Sequence, residues 1–413
     1  MHSFEPGGDP RLLFWRRVRE FAVPPSMIET ATARRVAGDW AGACAAARVD
    51  VDVDLRTVRR LHGRDLATQL RADLRHLAPD LLRWHLPRVA PDGLLRPGLT
   101  VALARYDSSL ARYRSGGRPV HLVARTAPAW ADAGQRISLA LWDGAPSGGG
   151  PHPHPRPGRR FRLDLHRPLW DARHAAELGE RAVTSWAAEA QLLCRADGCP
   201  GATVAVRAGA RLHFALDPGS TTPRPLPGPD RTLPLLPDAA TRVLPDLELL
   251  RHGLLSADRL HPLVAAALAP APTPGAQPGD NGDRKRGRAA HTVACRGEQH
   301  RIALVGGRLT PLDHDPDEVR REDLLAQFGG TPLPCLRAIA EVTRDPAELP
   351  DIRARLAHGD VTGALAAVES LLGPAAVLPD GPLRAALDDA AARRVTYGMY
   401  RSALIHRRKV MPA

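Results

Sequence analysis

Residues 33–46 run Ala33-Arg34-Arg35-Val36-Ala37-Gly38-Asp39-Trp40-Ala41-Gly42-Ala43-Cys44-Ala45-Ala46. Residues 354–367 run Ala354-Arg355-Leu356-Ala357-His358-Gly359-Asp360-Val361-Thr362-Gly363-Ala364-Leu365-Ala366-Ala367. Eight of the fourteen positions are identical, at a constant offset of 321. The shared pattern describes a helical hairpin. One helix ends before Gly38 or Gly359, because glycine takes the left-handed conformation of a helix C-terminus at little cost. Asp39 and Asp360 suit the N-cap of the next helix, where a carboxylate accepts a free backbone N–H. The Gly-Ala-x-Ala-Ala run then gives the second helix a small-residue face on which another helix can approach closely.

The rest of the chain reads outward from these two turns. Residues 1–95 carry mainly helical periodicity, with Leu61, Leu66, Leu70, Leu74 and Leu77 on one stripe between Leu55 and Leu86. Asp50, Asp52 and Asp54 alternate with Val49, Val51 and Val53, which fits a strand or the acidic start of the following helix. From residue 96 the pattern changes. Stretches 99–106, 119–124, 136–142 and 160–166 read as strands, and an antiparallel sheet is the simplest way to join them. The Gly- and Pro-rich segment 144–158, with His152 and His154, reads as an exposed loop. A helix is expected over 169–193. A hairpin is expected over 202–216, with Ala208-Gly209-Ala210 at its turn. Helices resume over 239–268.

Residues 269–290 are rich in Pro, Gly, Asp and Arg and have no apolar periodicity, so they read as a flexible linker. Residues 291–413 form a module of their own. A β-hairpin over 291–305 leads into helices at 316–327, 335–342, 347–357, 361–372 and 381–405. The expected class is therefore α+β: N-terminal helices, a central mostly antiparallel sheet with helices, a linker, and a C-terminal hairpin with helices.

Residues 28–50 and 347–372 resemble helical-hairpin repeats of the ankyrin and tetratricopeptide kind, which share a glycine-containing turn between two short helices. The resemblance covers about 25 residues at each end of the chain. It implies a protein-binding role. The full tetratricopeptide signature and the Thr-Pro-Leu-His of ankyrin repeats are absent.

Composition narrows the function classes. No stretch approaches the roughly 20 apolar residues of a membrane helix, and the N-terminus has no signal-peptide core, so a cytoplasmic location is expected. The net charge is +12, carried by 57 basic residues of which only Lys285 and Lys409 are lysine. With the high Ala, Gly and Pro content this suggests a GC-rich, actinobacterial genome. It also turns most arginines into ordinary solvated side chains. The five cysteines are an odd number and widely spread, as in a reducing compartment.

Four groups of residues carry candidate chemistry, one of them the exposed pair His152 and His154, whose proline-rich loop can bind a metal adventitiously. Cys194-x4-Cys199 has the spacing of half a zinc site. His291-x3-Cys295-x4-His300, with Asp313, His314 and Asp315 further on, fits a metal site or a Cys–His nucleophile. His291 and Cys295 share a strand face and His300 falls on the turn or the return strand. Arg393, Arg394, Tyr397, Tyr400, Arg401, Arg407, Arg408 and Lys409 form an acid-free basic stretch that can grip phosphates or an acidic protein surface. Walker A, dinucleotide-binding, nucleophile-elbow and zincin motifs are all missing. These features point to an adaptor or regulatory protein rather than an enzyme, with a protein partner and no membrane. The alternatives are nucleic-acid binding through the basic C-terminus and a metal- or cysteine-dependent enzyme. No cofactor is required by this reading, and zinc is the one ion the spacings admit.

Overall fold

The computed structural model describes residues 9–107, 119–144, 151–181, 184–209, 211–268, 291–306, 308–374 and 376–404. It has the expected α+β class, with several small sheets and many short helices. The chain divides into two compact units. The first holds residues 5–272 together with 396–413, and the second holds residues 273–395. The boundary at 272/273 falls inside the expected linker, which lies outside the described residues. The C-terminal limit differs from expectation: residues from Thr396 onward group with the first unit.

In the first unit, β1 (Val49–Val51), β4 (Thr100–Tyr106), β5 (Val120–Thr126) and β6 (Ile137–Trp142) form one sheet in the order β1-β6-β5-β4. It is mixed rather than wholly antiparallel, because β1 runs parallel to β6. A ribbon of β2 (Arg88–Val89) and β3 (Leu94–Leu95) stands beside the sequence of β4, and β7 (Val204–Ala208), β8 (Leu212–Leu216) and β9 (Arg224–Leu226) make an antiparallel meander.

The alternating Val/Asp stretch serves both roles its sequence allowed. Val49–Val51 is a strand, and Asp54 caps helix Leu55–His62 by accepting from the backbone N–H groups of Arg56 and Thr57 at 3.0 and 3.1 Å. Gly63, at φ 92°, separates that helix from Arg64–His76. Leu66, Leu70, Leu74 and Leu77 are buried, whereas Leu61 is exposed. They pack with Leu81, Leu82, Trp84 and Trp170 and the inner residues of the sheet in one core.

Several buried polar groups in this core find partners, as burial demands. The fully buried Arg83 donates to the carbonyls of Ala22 and Gln135 at 2.9 and 2.5 Å. Trp84 donates to Asp246 at 2.8 Å, and His261 pairs with Asp80 at 2.9 Å.

Two expected elements differ. Residues 160–166 make only an isolated bridge, Ala102 to Arg162, because the chain crosses the edge of β4 through Gly158 and Leu163 instead of pairing along it. The expected helix 169–193 is broken into short turns, and a regular helix appears only at Trp186–Asp197.

The second unit opens with an antiparallel meander of β10 (His291–Cys295), β11 (Glu298–Val305) and β12 (Arg308–Pro311). Helices Pro316–Gln327, Pro334–Arg344, Leu349–His358 and Val361–Leu372 follow, then Pro382–Arg401, whose residues up to Val395 belong to this unit. Leu349, Ile352, Leu356, Ala364, Val368, Leu372 and Leu383 form its main core. Cys295, Ile302, Leu333 and Cys335 form a smaller one under the meander.

The two Gly-Asp turns are the same structure built twice. Gly38 and Gly359 have φ 79° and 84°. Asp39 N donates to Arg34 O at 2.9 Å and Asp360 N to Arg355 O at 2.7 Å. The same arginines reach back to the cap carboxylates, at 3.0 and 2.9 Å. Asp39 and Asp360 accept from Gly42 N and Gly363 N at 2.8 and 3.2 Å. The second glycine has a different reason from the one the small-residue pattern suggested. A Cβ on Gly42 or Gly363 would lie 2.1 Å from the cap carboxylate, so glycine leaves room for the cap.

Candidate metal centre

Four residues of the second unit converge: Cys295, His300, His314 and Cys335. Their ligand atoms all lie within 4.8 Å of one another. Each arrives on a different piece of backbone. Cys295 ends β10. The two-residue turn Arg296-Gly297, at φ 54° and 89°, then reverses the chain. Two left-handed residues match the twist of a tight hairpin. On β11, His300 pairs with Val293, which shares a face with Cys295 two residues on, so the thiol and the imidazole stand diagonally on the same side of the ladder. His314 follows β12, one residue before Asp315, the N-cap of helix Pro316–Gln327. Cys335 sits in the first turn of helix Pro334–Arg344, where the helix dipole favours a thiolate.

The cluster is buried. Cys295 and Cys335 are 1 % and 0 % exposed, and the His300 and His314 side chains 12 % and 3 %. Burial and the hydrogen bond with the Cys295 thiol push the Cys335 thiol up to about 11. The imidazoles are close, with ring centroids 4.3 Å apart.

Their nitrogens are unequally served. His314 Nδ1 faces Glu318 Oε2 at 3.4 Å, and His300 Nε2 lies 3.8 Å from Glu298 Oε2. The remaining nitrogens, His314 Nε2 and His300 Nδ1, are buried without a hydrogen-bond partner. A buried polar atom left alone costs roughly 1–3 kcal/mol, so two in one cluster call for an explanation. For His314, one nitrogen directed at a carboxylate and the other without a partner is also how metal-binding histidines are held.

Two thiols and two imidazoles are the donor set of a tetrahedral zinc site. Zinc bond lengths of about 2.3 Å to sulfur and 2.0–2.1 Å to nitrogen imply ligand–ligand separations of about 3.3–3.8 Å. The observed spread, up to 4.8 Å, needs a contraction of about 1.0–1.5 Å at most. Helix Pro334–Arg344 and the loop before helix Pro316–Gln327 can supply it by side-chain rotation.

The other sequence candidates are placed as follows. Cys295 and His300 belong to the cluster. His291 lies at the start of β10 opposite Ile302, and its side chain is outside the described residues. Cys194 and Cys199 flank the left-handed Gly198 at the end of helix Trp186–Asp197, with Cys199 N donating to Cys194 O at 2.9 Å. Burial and the neighbouring Cys199 thiol push the Cys194 thiol up. Among the described residues no histidine or carboxylate completes this pair as a ligand group.

His152, expected on an exposed loop, is instead 7 % exposed and holds Thr126 O at 3.0 Å, and burial lowers its pKa to about 4. His314 was visible only as a neighbour in sequence, and Cys335 gave no local signal: it stands forty residues beyond Cys295.

The basic C-terminal stretch divides. Tyr397 is 9 % exposed and donates to Asp50 Oδ2 at 2.6 Å. Tyr400 is 5 % exposed, edge-on to Trp130 with centroids 5.5 Å apart. Arg401 forms an ion pair with Asp52. These three side chains are engaged inside the first unit and are not available to stack on bases. Arg393 and Arg394 are exposed. Arg407, Arg408 and Lys409 lie outside the described residues. No family model, no curated protein and no solved structure matches the chain.

Proposed function

We propose that this protein acts by binding a protein partner, and that a structural zinc held by Cys295, His300, His314 and Cys335 organises the unit that does so. The observation that carries the reading is the convergence of four soft and borderline donors within 4.8 Å, on histidines that each also carry a buried ring nitrogen without a hydrogen-bond partner. Four protein ligands fill a tetrahedral ion and leave no position for water or substrate, which is the signature of a structural rather than a catalytic site. The same burial argues against a cysteine nucleophile, because an enclosed thiol cannot meet a substrate.

Zinc suits a meander with so small an apolar core. Metal binding adds directly to folding free energy. The ion would tie the meander to the starts of two helices. One of these, Pro316–Gln327, leaves Leu324, Leu325 and Phe328 exposed near its C-terminal end. Exposed apolar groups on a fixed helix suit a protein partner better than a polyanion.

The test couples the two halves of the proposal. Tagged full-length chain and its Cys335→Ser variant are incubated with host lysate, with and without a zinc chelator. A protein retained by the parent chain, and lost with either the substitution or the chelator, is the expected result. Equal capture in all arms, or none in any, contradicts it.

A further inference from the structure

The first unit contains a cleft of about 540 Å³ between the segment 154–161, the β7–β8 hairpin and the loop 229–235. Its charge is one-sided. Arg156, Arg159, Arg160, Arg207 and Arg231 line it, against a single acid, Asp230. Five of the sixteen lining residues are arginine, whereas the chain carries 57 basic residues in 413, so the general basicity does not account for the concentration.

The acids nearby are already committed. Asp230 accepts from Thr232 N and Thr232 Oγ1 at 2.8 and 2.6 Å, capping its own turn. Asp238 takes Arg160, with Nε 2.8 and 2.9 Å from its two oxygens. Arg159 is held differently. Its guanidinium donates to the carbonyls of Arg231, at 3.0 Å, and Leu233. Neutral acceptors fix the group in place without cancelling its charge. Among the described residues no carboxylate pairs with Arg156, Arg159 or Arg231. Three uncompensated guanidinium groups around one cleft repel each other, and a polyanion between them removes that repulsion.

The rest of the lining mixes Thr100, His154 and His213 with an apolar wall. Leu99, Phe161 and Leu235 face the same space, and the Arg160 guanidinium lies 4.7 Å from the Phe161 ring centroid. The volume falls within the range of small-molecule sites. A monocarboxylate would engage one guanidinium and leave the others, whereas a chain of phosphates engages several, and the apolar wall accepts a ring.

We propose that this cleft binds a phosphorylated small molecule of about nucleotide size, with Arg156, Arg159 and Arg231 on the phosphates and Leu99, Phe161 and Leu235 against its apolar part. The proposal does not depend on the zinc reading, since every residue involved lies in the other unit.

The test uses the full-length chain and metal-free ATP and inorganic pyrophosphate, titrated by calorimetry at two salt concentrations. Arg156→Gln/Arg231→Gln is the diagnostic variant, because both side chains are exposed and its melting temperature should match the parent's. Arg159 is left intact because it holds the 231–233 backbone. The expected results are saturable binding of ATP, weaker binding of pyrophosphate, and a loss of tenfold or more in the double variant. Phe161→Leu should weaken ATP and leave pyrophosphate unchanged. Absence of ATP binding, or equal affinity in the double variant, overturns the proposal. So does binding of a single-stranded oligonucleotide that ATP fails to displace, which would make the cleft part of a nucleic-acid surface.

Discussion

At the level of single residues, the repeated turn explains its own sequence. Asp360 caps a helix, Arg355 braces Asp360, and Gly363 leaves the space in which the carboxylate sits. Helix propensity favours replacing Gly363 by alanine by up to about 1 kcal/mol. The added Cβ would lie 2.1 Å from Asp360 Oδ2, so the cap must move, and losing a cap costs about 1 kcal/mol before the brace from Arg355 is counted. The balance therefore depends on Asp360. Gly363→Ala should lower stability in the parent chain and raise it by up to about 1 kcal/mol in an Asp360→Ala background. Denaturant unfolding of the four variants measures both effects, and the same sign in both backgrounds would remove the role assigned to Gly363.

The glycine after the helix was legible because only its own backbone was at issue. The reason for the second glycine was not, since it depends on where one side chain folds back. The aromatic residues near the C-terminus were harder still. Tyr397 and Arg401 find Asp50 and Asp52, more than 340 residues away, and nothing in either stretch names the other.

Among elements, helix limits were legible where caps marked them. Pro316–Gln327 begins after the capping Asp315, and Val361–Leu372 begins after Asp360. Limits failed where periodicity continued through a break, as at Gly63, or where alternation lacked a partner strand, as at 160–166. The thiol–imidazole cluster shows the same division. Cys295 and His300 were readable as a local pair on one hairpin. His314 and Cys335 join them only because helix Pro334–Arg344 packs on the meander and a loop returns beneath it.

The proposed zinc, tying these elements together, would have a measurable consequence. Chelation should release amide protons of 291–311 and 334–344 to exchange at least tenfold faster. Helices 349–358 and 361–372 rest on their own apolar core and should keep most of their protection. Uniform loss of protection across the unit, or none, would show that the cluster does not hold the meander in this way.

At the scale of the whole molecule, the α+β class followed from the order of helix-like and strand-like stretches. The two units divide near residue 272, within the stretch where the composition changes. The assignment of residues beyond 395 to the first unit did not, because it rests on pairings such as Tyr397 with Asp50. The two units carry different chemistry: an arginine-lined cleft in one and a thiol–imidazole cluster in the other. Excess positive charge alone distinguished neither, since arginine is spread through the chain.

We propose that the second unit is built around a metal ion. Metal analysis of full-length protein purified without chelator tests it most directly. About one zinc per chain is expected, reduced to near zero in both Cys295→Ser and Cys335→Ser and unchanged in Cys194→Ser. A metal-free parent chain with an undiminished melting temperature, or zinc content that follows Cys194 instead, would contradict it.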